Sequence, residues 1–237
     1  MKNWKARRCI AHRLFHFYTS KLHCCDIEVT MKELAKWLQS QTEKHMVLGY
    51  GSLLSKDSRE RYSNIFIRGI PVTVSGFERA WVTRSVEEKQ TYVGAVANAT
   101  SKLNAQLVPT KINPALQERE KDYRFVEVSP QNLNFHLHHP DNATWLEDTL
   151  SQFSFWICET LACEPASEAY PVHQTYIDTC LAGCLEHGGQ EEAKRFIAQT
   201  SLWEHPRVND RVAPQYPRAA LVDSKQIEHI DTLLSNR

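Results

Sequence analysis

Apolar positions recur with two different periods along this chain, and the switch between them divides it. From Met31 to about Gln41, Leu34, Trp37 and Leu38 fall on one helical face, which predicts a short amphipathic helix. Met46-Val47-Leu48 is then a brief apolar run ending in Gly49-Tyr50-Gly51-Ser52-Leu53-Leu54. Two glycines and a serine after such a run predict a strand that turns sharply into a loop. Ser55 is placed to cap a polar helical turn reaching Tyr62. Between residues 65 and 83 the chain is rich in β-branched side chains, interrupted by Gly69-Ile70-Pro71 and Gly76, so two or three strands are expected. A further strand pair is expected over 92–97 and 105–108, joined by a polar turn at 101–104. Residues 114–121 read as a helix or tight turn, and Tyr123–Val128 as a strand with Tyr123 and Phe125 on one face.

After Pro130 the pattern changes. Residues 131–142 are loop-like, with Pro140-Asp141-Asn142 a strong turn signal, and 153–158 is a short strand candidate. Beyond Pro165, Val172, Tyr176, Cys180 and Cys184 recur every four residues with Ile177, Leu181 and Leu185 beside them, an apolar stripe that packs on a core. Gly188-Gly189 ends this helix and a second runs from about Glu191 to Gln199. The stretch 203–218 carries three prolines and is expected to wrap over the surface. The fold class is therefore α+β, organised as a non-core N-terminal extension (1–30), a mostly β domain (31–160) and a helical extension with a tail (161–237) packed on it.

Composition narrows the functional classes. Hydrophobic residues make up 42% of the 237, enough to bury a sizeable core. Lys plus Arg equals Asp plus Glu at 28 each, so no global field favours nucleic acid or an acidic membrane. No run of ~18 apolar residues spans a bilayer. Seven unevenly placed cysteines in a chain of this size read as reduced thiols, and a cytoplasmic location is expected. Before Asp26 there are six Lys or Arg and no acid; without an apolar core this is not a secretory signal, and an organellar transit peptide or a non-conforming extension is left.

Two segments carry candidate chemistry. A strand–Gly–x–Gly–Ser turn can point successive N–H groups at one spot and so suit the carboxylate of a small substrate, glycine permitting left-handed backbone and close ligand approach. Taken alone, the same composition reads first as an ordinary turn. The second is Leu116-Gln117-Glu118-Arg119-Glu120-Lys121-Asp122-Tyr123. Helical, this run turns only one of Glu118 and Glu120 toward a given cavity; extended, it turns both, and the pattern alone does not choose.

The order VLGYGSLL, about 60 residues, then L-x-x-R-E-x-x-Y ahead of a strand resembles the γ-glutamylcyclotransferase family, over about residues 46–130. VSGFERAWV and NAQLVPT are similar to that family's intermediate strands. The resemblance implies a small mixed β-barrel with flanking helices, a catalytic glutamate at Glu120 and substrate contacts at Leu48, Gly49, Tyr50, Gly51, Ser52, Leu53 and Tyr123. It implies conversion of a γ-glutamyl peptide, amino acid or amine to 5-oxoproline, with no cofactor and no metal. The expected partner is the small-molecule substrate, with neither nucleic acid nor membrane. Leu53, where the general enzymes have Asn, is as in the glutathione-specific (ChaC-type) members; the interval from Glu120 to Tyr123 is shorter than in either group. The alternative is a non-catalytic binding or scaffold protein on the same fold.

Other constellations carry less. His136-x-His138-His139 is followed by no matching ligand spacing for a metal. Cys180 and Cys184 read as core thiols. Arg207 and Arg211, bracketing Asn209-Asp210, suit either a carboxylate clamp or a loop tied down by salt bridges, the second being preferred. Neither GxxxxGK[ST] nor GxGxxG occurs, so nucleotide cofactors are not expected.

Overall fold

The computed structural model describes residues 30–111, 113–137 and 143–237. All of the expected N-terminal extension but Thr30 lies outside them, as do His138, His139 and the Pro140-Asp141-Asn142 turn.

The first helix, α1 (Met31–Gln39), forms where the apolar spacing predicts it, opened by a capping box between Thr30 and Glu33. Its Leu34 and Leu38 are buried. Strand β1 (His45–Gly49) follows, then a 3-10 turn (Ser52–Leu54) and α2 (Lys56–Ser63), whose Ser58 N–H donates to the Ser55 hydroxyl as a cap.

Long strands replace the several short ones expected next. β2 (Ile70–Ser85) and β3 (Gln90–Pro109) are one antiparallel hairpin. Gly76 (φ 91) does not end β2; it sits in a bulge, opposite which residues 98–101 stand outside the pairing. The polar residues 101–104 are likewise no turn. Asn104 pairs with Thr73 in the ladder, and its buried side chain accepts from Arg79 Nη2 and donates to the Glu192 backbone carbonyl and carboxylate. Polarity that reads as a turn is thus a satisfied buried network.

Then come α3 (Pro114–Arg119), capped by Asn113, and β4 (Tyr123–Val128). Short β5 (Leu133–Asn134), α4 (Ala143–Leu150) and β6 (Ser154–Thr160) complete the first 160 residues. The sheet order is β4-β6-β1-β3-β2-β5. β1 runs parallel to β6 and antiparallel to β3. Beyond the end of β1, β3 meets β6 directly at Ala95 and Glu159, so the sheet curls into a half-barrel.

The remainder begins with β7 (Val172–His173) and the long α5 (Gln174–Ala198), broken at Gly189 (φ 62) as Gly188-Gly189 foretells. Val172 precedes the helix but shares the buried stripe, and Cys180 and Cys184 are core thiols with no exposed surface. β8 (Thr200–Ser201) joins β2, β9 (Arg207–Val208) pairs with β7, and α6 (Ser224–Ser235) closes the chain. Residues 203–218 run over the surface as expected, anchored inward by the buried Trp203, Asp210 and Tyr216. Among the described residues, no helix is long and apolar enough to cross a membrane.

Candidate active site

Where β1 ends, β3 and β6 must be bridged, and a tyrosine does it. The Tyr50 hydroxyl accepts from the Ala95 N–H (3.0 Å) and donates to the Cys158 carbonyl, joining β3 to β6. On β4, the Tyr123 hydroxyl donates to the Val93 carbonyl (2.8 Å). Burial raises both phenols well above their ordinary value, so they remain neutral donors.

The turn after β1 is tight for reasons of space. A Cβ on Gly49 would lie 2.6 Å from the Leu53 Cβ, and one on Gly51 2.8 Å from the Tyr176 hydroxyl and 2.9 Å from Val93 Cγ2. Neither glycine has a positive φ, so the expected left-handed backbone is not what requires them. Ser52 and Leu53 head the 3-10 turn without a side-chain cap. Leu53 packs with Val47, Leu116 and Phe125.

Helix α3 decides between the two glutamates. Glu120 closes it, its N–H donating to the Leu116 carbonyl (3.0 Å), and its side chain is 11% exposed. Glu118 is 76% exposed and pairs with Lys121. Arg119 is buried between α2 and the turn: Nη1 donates to Ser63 Oγ (2.7 Å), Nη2 to Ser52 Oγ (2.8 Å), and Nε lies 3.6 Å from Glu120 Oε1.

The turn after β1, Arg119, Glu120 and Tyr123 line one small cleft, partly open to solvent. It brings together every site residue expected from sequence: Leu48, Gly49, Tyr50, Gly51, Ser52, Leu53, Glu120 and Tyr123. Burial pushes the Glu120 carboxyl above the ordinary carboxylate range, against the opposing pull of Arg119 and Arg218. A carboxyl so placed holds its proton to a higher pH than a free glutamate does and lies in a polar, largely enclosed space.

Sequence reasoning missed the rest of the wall. Tyr92 and Val93 come from β3, Cys158 from β6, Tyr176 from α5, and Tyr216 and Arg218 from the segment before α6. Tyr176 meets Tyr92 and Tyr216 edge-on, each at 4.8 Å between centroids. Arg218 donates to Glu88 through Nη1 (2.8 Å) and Nη2 (3.3 Å) and lies against Tyr92 and Tyr216. Tyr176, Tyr216 and Arg218 belong to the extension expected to pack on the domain, which the sequence does not resolve into site residues. The two arginines of the suggested clamp lie elsewhere: Arg211 pairs with Asp178 and Asp231, and Asp210 takes the Thr175 N–H at the start of α5. His136 Nε2 is 2.8 Å from the Thr73 hydroxyl. Among the described residues no cluster of His, Cys, Asp and Glu has metal-site geometry.

Comparison with solved structures shows likeness in fold. The chain matches YkqA from Bacillus subtilis with a TM-score of 0.50 at 13% identity, over 75% of this chain and 60% of that one. It therefore spans about three-fifths of the length of YkqA. A gamma-glutamyl cyclotransferase matches with a TM-score of 0.47 at 13% identity, over 79% and 98% of the two chains. A gamma-glutamyl cyclotransferase specific to glutathione, from yeast, matches with a TM-score of 0.36 at 15% identity, over 81% and 98%. No protein-family model and no curated protein matches the sequence.

Proposed function

We propose that the protein is a γ-glutamylcyclotransferase-type enzyme that releases 5-oxoproline from a γ-glutamyl peptide, amino acid or amine. The observation carrying this reading is the enclosed Glu120 carboxyl, lining one cleft with the turn from Gly49 to Leu53.

The reaction asks for little beyond that. In a γ-glutamyl compound the α-nitrogen and the γ-carbonyl belong to one molecule, and holding the folded conformer supplies up to ~7–11 kcal/mol in favourable cases. The α-ammonium first loses a proton to solvent, one that the released amine takes up at the end, because the cation has no lone pair to attack with. Its nitrogen then bonds to the γ-carbonyl carbon and the bond to the leaving nitrogen breaks. A second proton passes from the attacking nitrogen through Glu120 to the leaving one, closing the balance on 5-oxoproline and a free amine. Such proton transfer is worth typically ~10²–10⁴-fold, most at a pKa near the working pH, which the raised value of Glu120 favours. The uncapped N–H groups heading the 3-10 turn are suited to the developing oxyanion. Glutathione is among the substrates considered, given Leu53 and the Arg119-Glu120 pair.

The test is a panel of γ-glutamyl peptides, amino acids and amines, scored for 5-oxoproline by mass spectrometry. The wild-type protein should release it from at least one member, and Glu120→Gln should lower that rate by roughly 100-fold or more. A folded Glu120→Gln protein with near-normal turnover would contradict the assignment.

A further inference from the structure

We infer that Arg218, brought in by the segment before α6, is a specificity-determining residue that binds the α-carboxylate of the γ-glutamyl ligand. The inference rests on the reading above and adds to it a residue that lies far outside the 46–130 resemblance.

Arg119 and Arg218 are the cationic side chains lining the cleft that holds Glu120. Arg119 is already committed: its two terminal nitrogens donate to Ser52 Oγ, Ser58 O, Ser58 Oγ and Ser63 Oγ, and its Nε faces Glu120. Arg218 is committed differently. Glu88 takes its end-on face through Nη1 and Nη2, with the Tyr92 hydroxyl 3.4 Å from Nη2. On the side-on edge, Nη2 reaches only the Tyr92 hydroxyl at 3.4 Å, and the Nε–H is buried with no hydrogen-bond partner among the described residues. A guanidinium offers two such paired edges, and each matches a carboxylate. Leaving a buried charged donor unpaired is costly, which favours a bound acceptor at that edge.

The side chain is also held in place rather than free to choose. Tyr92 and Tyr216 flank the guanidinium at 5.7 and 5.3 Å, and the Arg218 carbonyl accepts from the Ser58 hydroxyl (2.9 Å). Arg218 also lines the neighbouring outer cleft with Glu88, Lys121 and Asp122, so it stands at the boundary between the inner space and the outside. A γ-glutamyl group whose amine reaches Glu120 carries its α-carboxylate on the same carbon, within reach of a cation on the cleft wall as well as of the N–H groups of the turn. Arg218 supplies that cation without drawing on Arg119. Because the Nε–H is shut off from solvent here, carboxylate binding entails a small shift of the 216–218 segment.

The experiment compares ligands with and without that carboxylate. 5-Oxoproline and its uncharged carboxamide are titrated calorimetrically into wild-type protein, Arg218→Gln and Arg218→Lys. The same variants are assayed with a γ-glutamyl substrate and its α-carboxamide. Wild-type protein should prefer the carboxylate ligand by roughly 10–100-fold, the range for a hydrogen bond to a charged group. Arg218→Gln should erase the preference, lowering affinity and kcat/KM for the carboxylate ligand at least about tenfold more than for the carboxamide, with Arg218→Lys between the two. Equal loss with both ligands would show that Arg218 acts through Glu120 or the aromatic wall, and would overturn the inference. So would failure of 5-oxoproline to bind wild-type protein. Absence of 5-oxoproline release by wild-type protein would instead sink the cyclotransferase reading, while the binding comparison still decides the role of Arg218.

Discussion

The Glu120 carboxyl, to which the proposed function assigns the proton transfers, has surroundings that disagree about its charge. Burial favours the neutral acid, and Arg119 and Arg218 favour the carboxylate; burial prevails and the pKa is raised above 4.5. The folded chain therefore keeps a proton that the unfolded chain gives up. Stability falls as pH rises through the window between 4.5 and the raised value, and the loss is complete above it. Glutamine cannot ionise. Glu120→Gln should accordingly melt like wild type at a pH below that window and at a higher temperature than wild type above it, as read by paired thermal melts. The acid limb of kcat/KM should share the same group, with activity rising as Glu120 deprotonates at a pH above the ordinary carboxylate range. A melting difference of the same size at both pH values would show that the substitution acts by packing instead. At this scale the sequence leaves Glu118 and Glu120 both open from the residue pattern, and the family resemblance points to Glu120. The geometry adds the reason: α3 ends at Arg119, so the next residue turns inward while Glu118 stays on the solvated face.

Elements place these residues, and the turn after β1 has the least room. The Tyr176 hydroxyl and Val93 Cγ2 stand where a Gly51 Cβ would go. Neither yields easily, since Tyr176 is wedged against Trp81, Tyr92 and Tyr216. Gly51→Ala should cost about 1–3 kcal/mol of stability in denaturant melts, as overpacking does, and displace the turn enough to remove most activity. Unchanged stability would mean that the turn has slack. The sequence is legible at this scale where local chemistry decides: the box opening α1, the Ser55 cap of α2 and the break at Gly189 all follow from nearby residues. It is least legible in β2 and β3, where Gly76 and the polar residues 98–104 look like strand ends. Pairing across the hairpin and the network of Arg79, Asn104 and Glu192 override those signals, and no local window contains both halves.

The whole molecule explains why half of the cleft is hidden from sequence reading. Turn and glutamate stand in recognisable order, about 70 residues apart. The opposing wall is assembled from β3, β6, α5 and the 216–218 segment, which meet because the sheet curls and α5 packs over the 3-10 turn. The prolines near residue 216 suggest an irregular surface path, yet an irregular path is also what lets Tyr216 and Arg218 reach inward. The proposed function makes one chemical claim about this cleft, that the ligand's own nitrogen and not water attacks its γ-carbonyl. Turnover of a γ-glutamyl dipeptide by wild-type protein in ¹⁸O-water measures that directly. The account predicts 5-oxoproline free of ¹⁸O, because cyclisation consumes no water. Glutamate carrying ¹⁸O in its γ-carboxyl would contradict it.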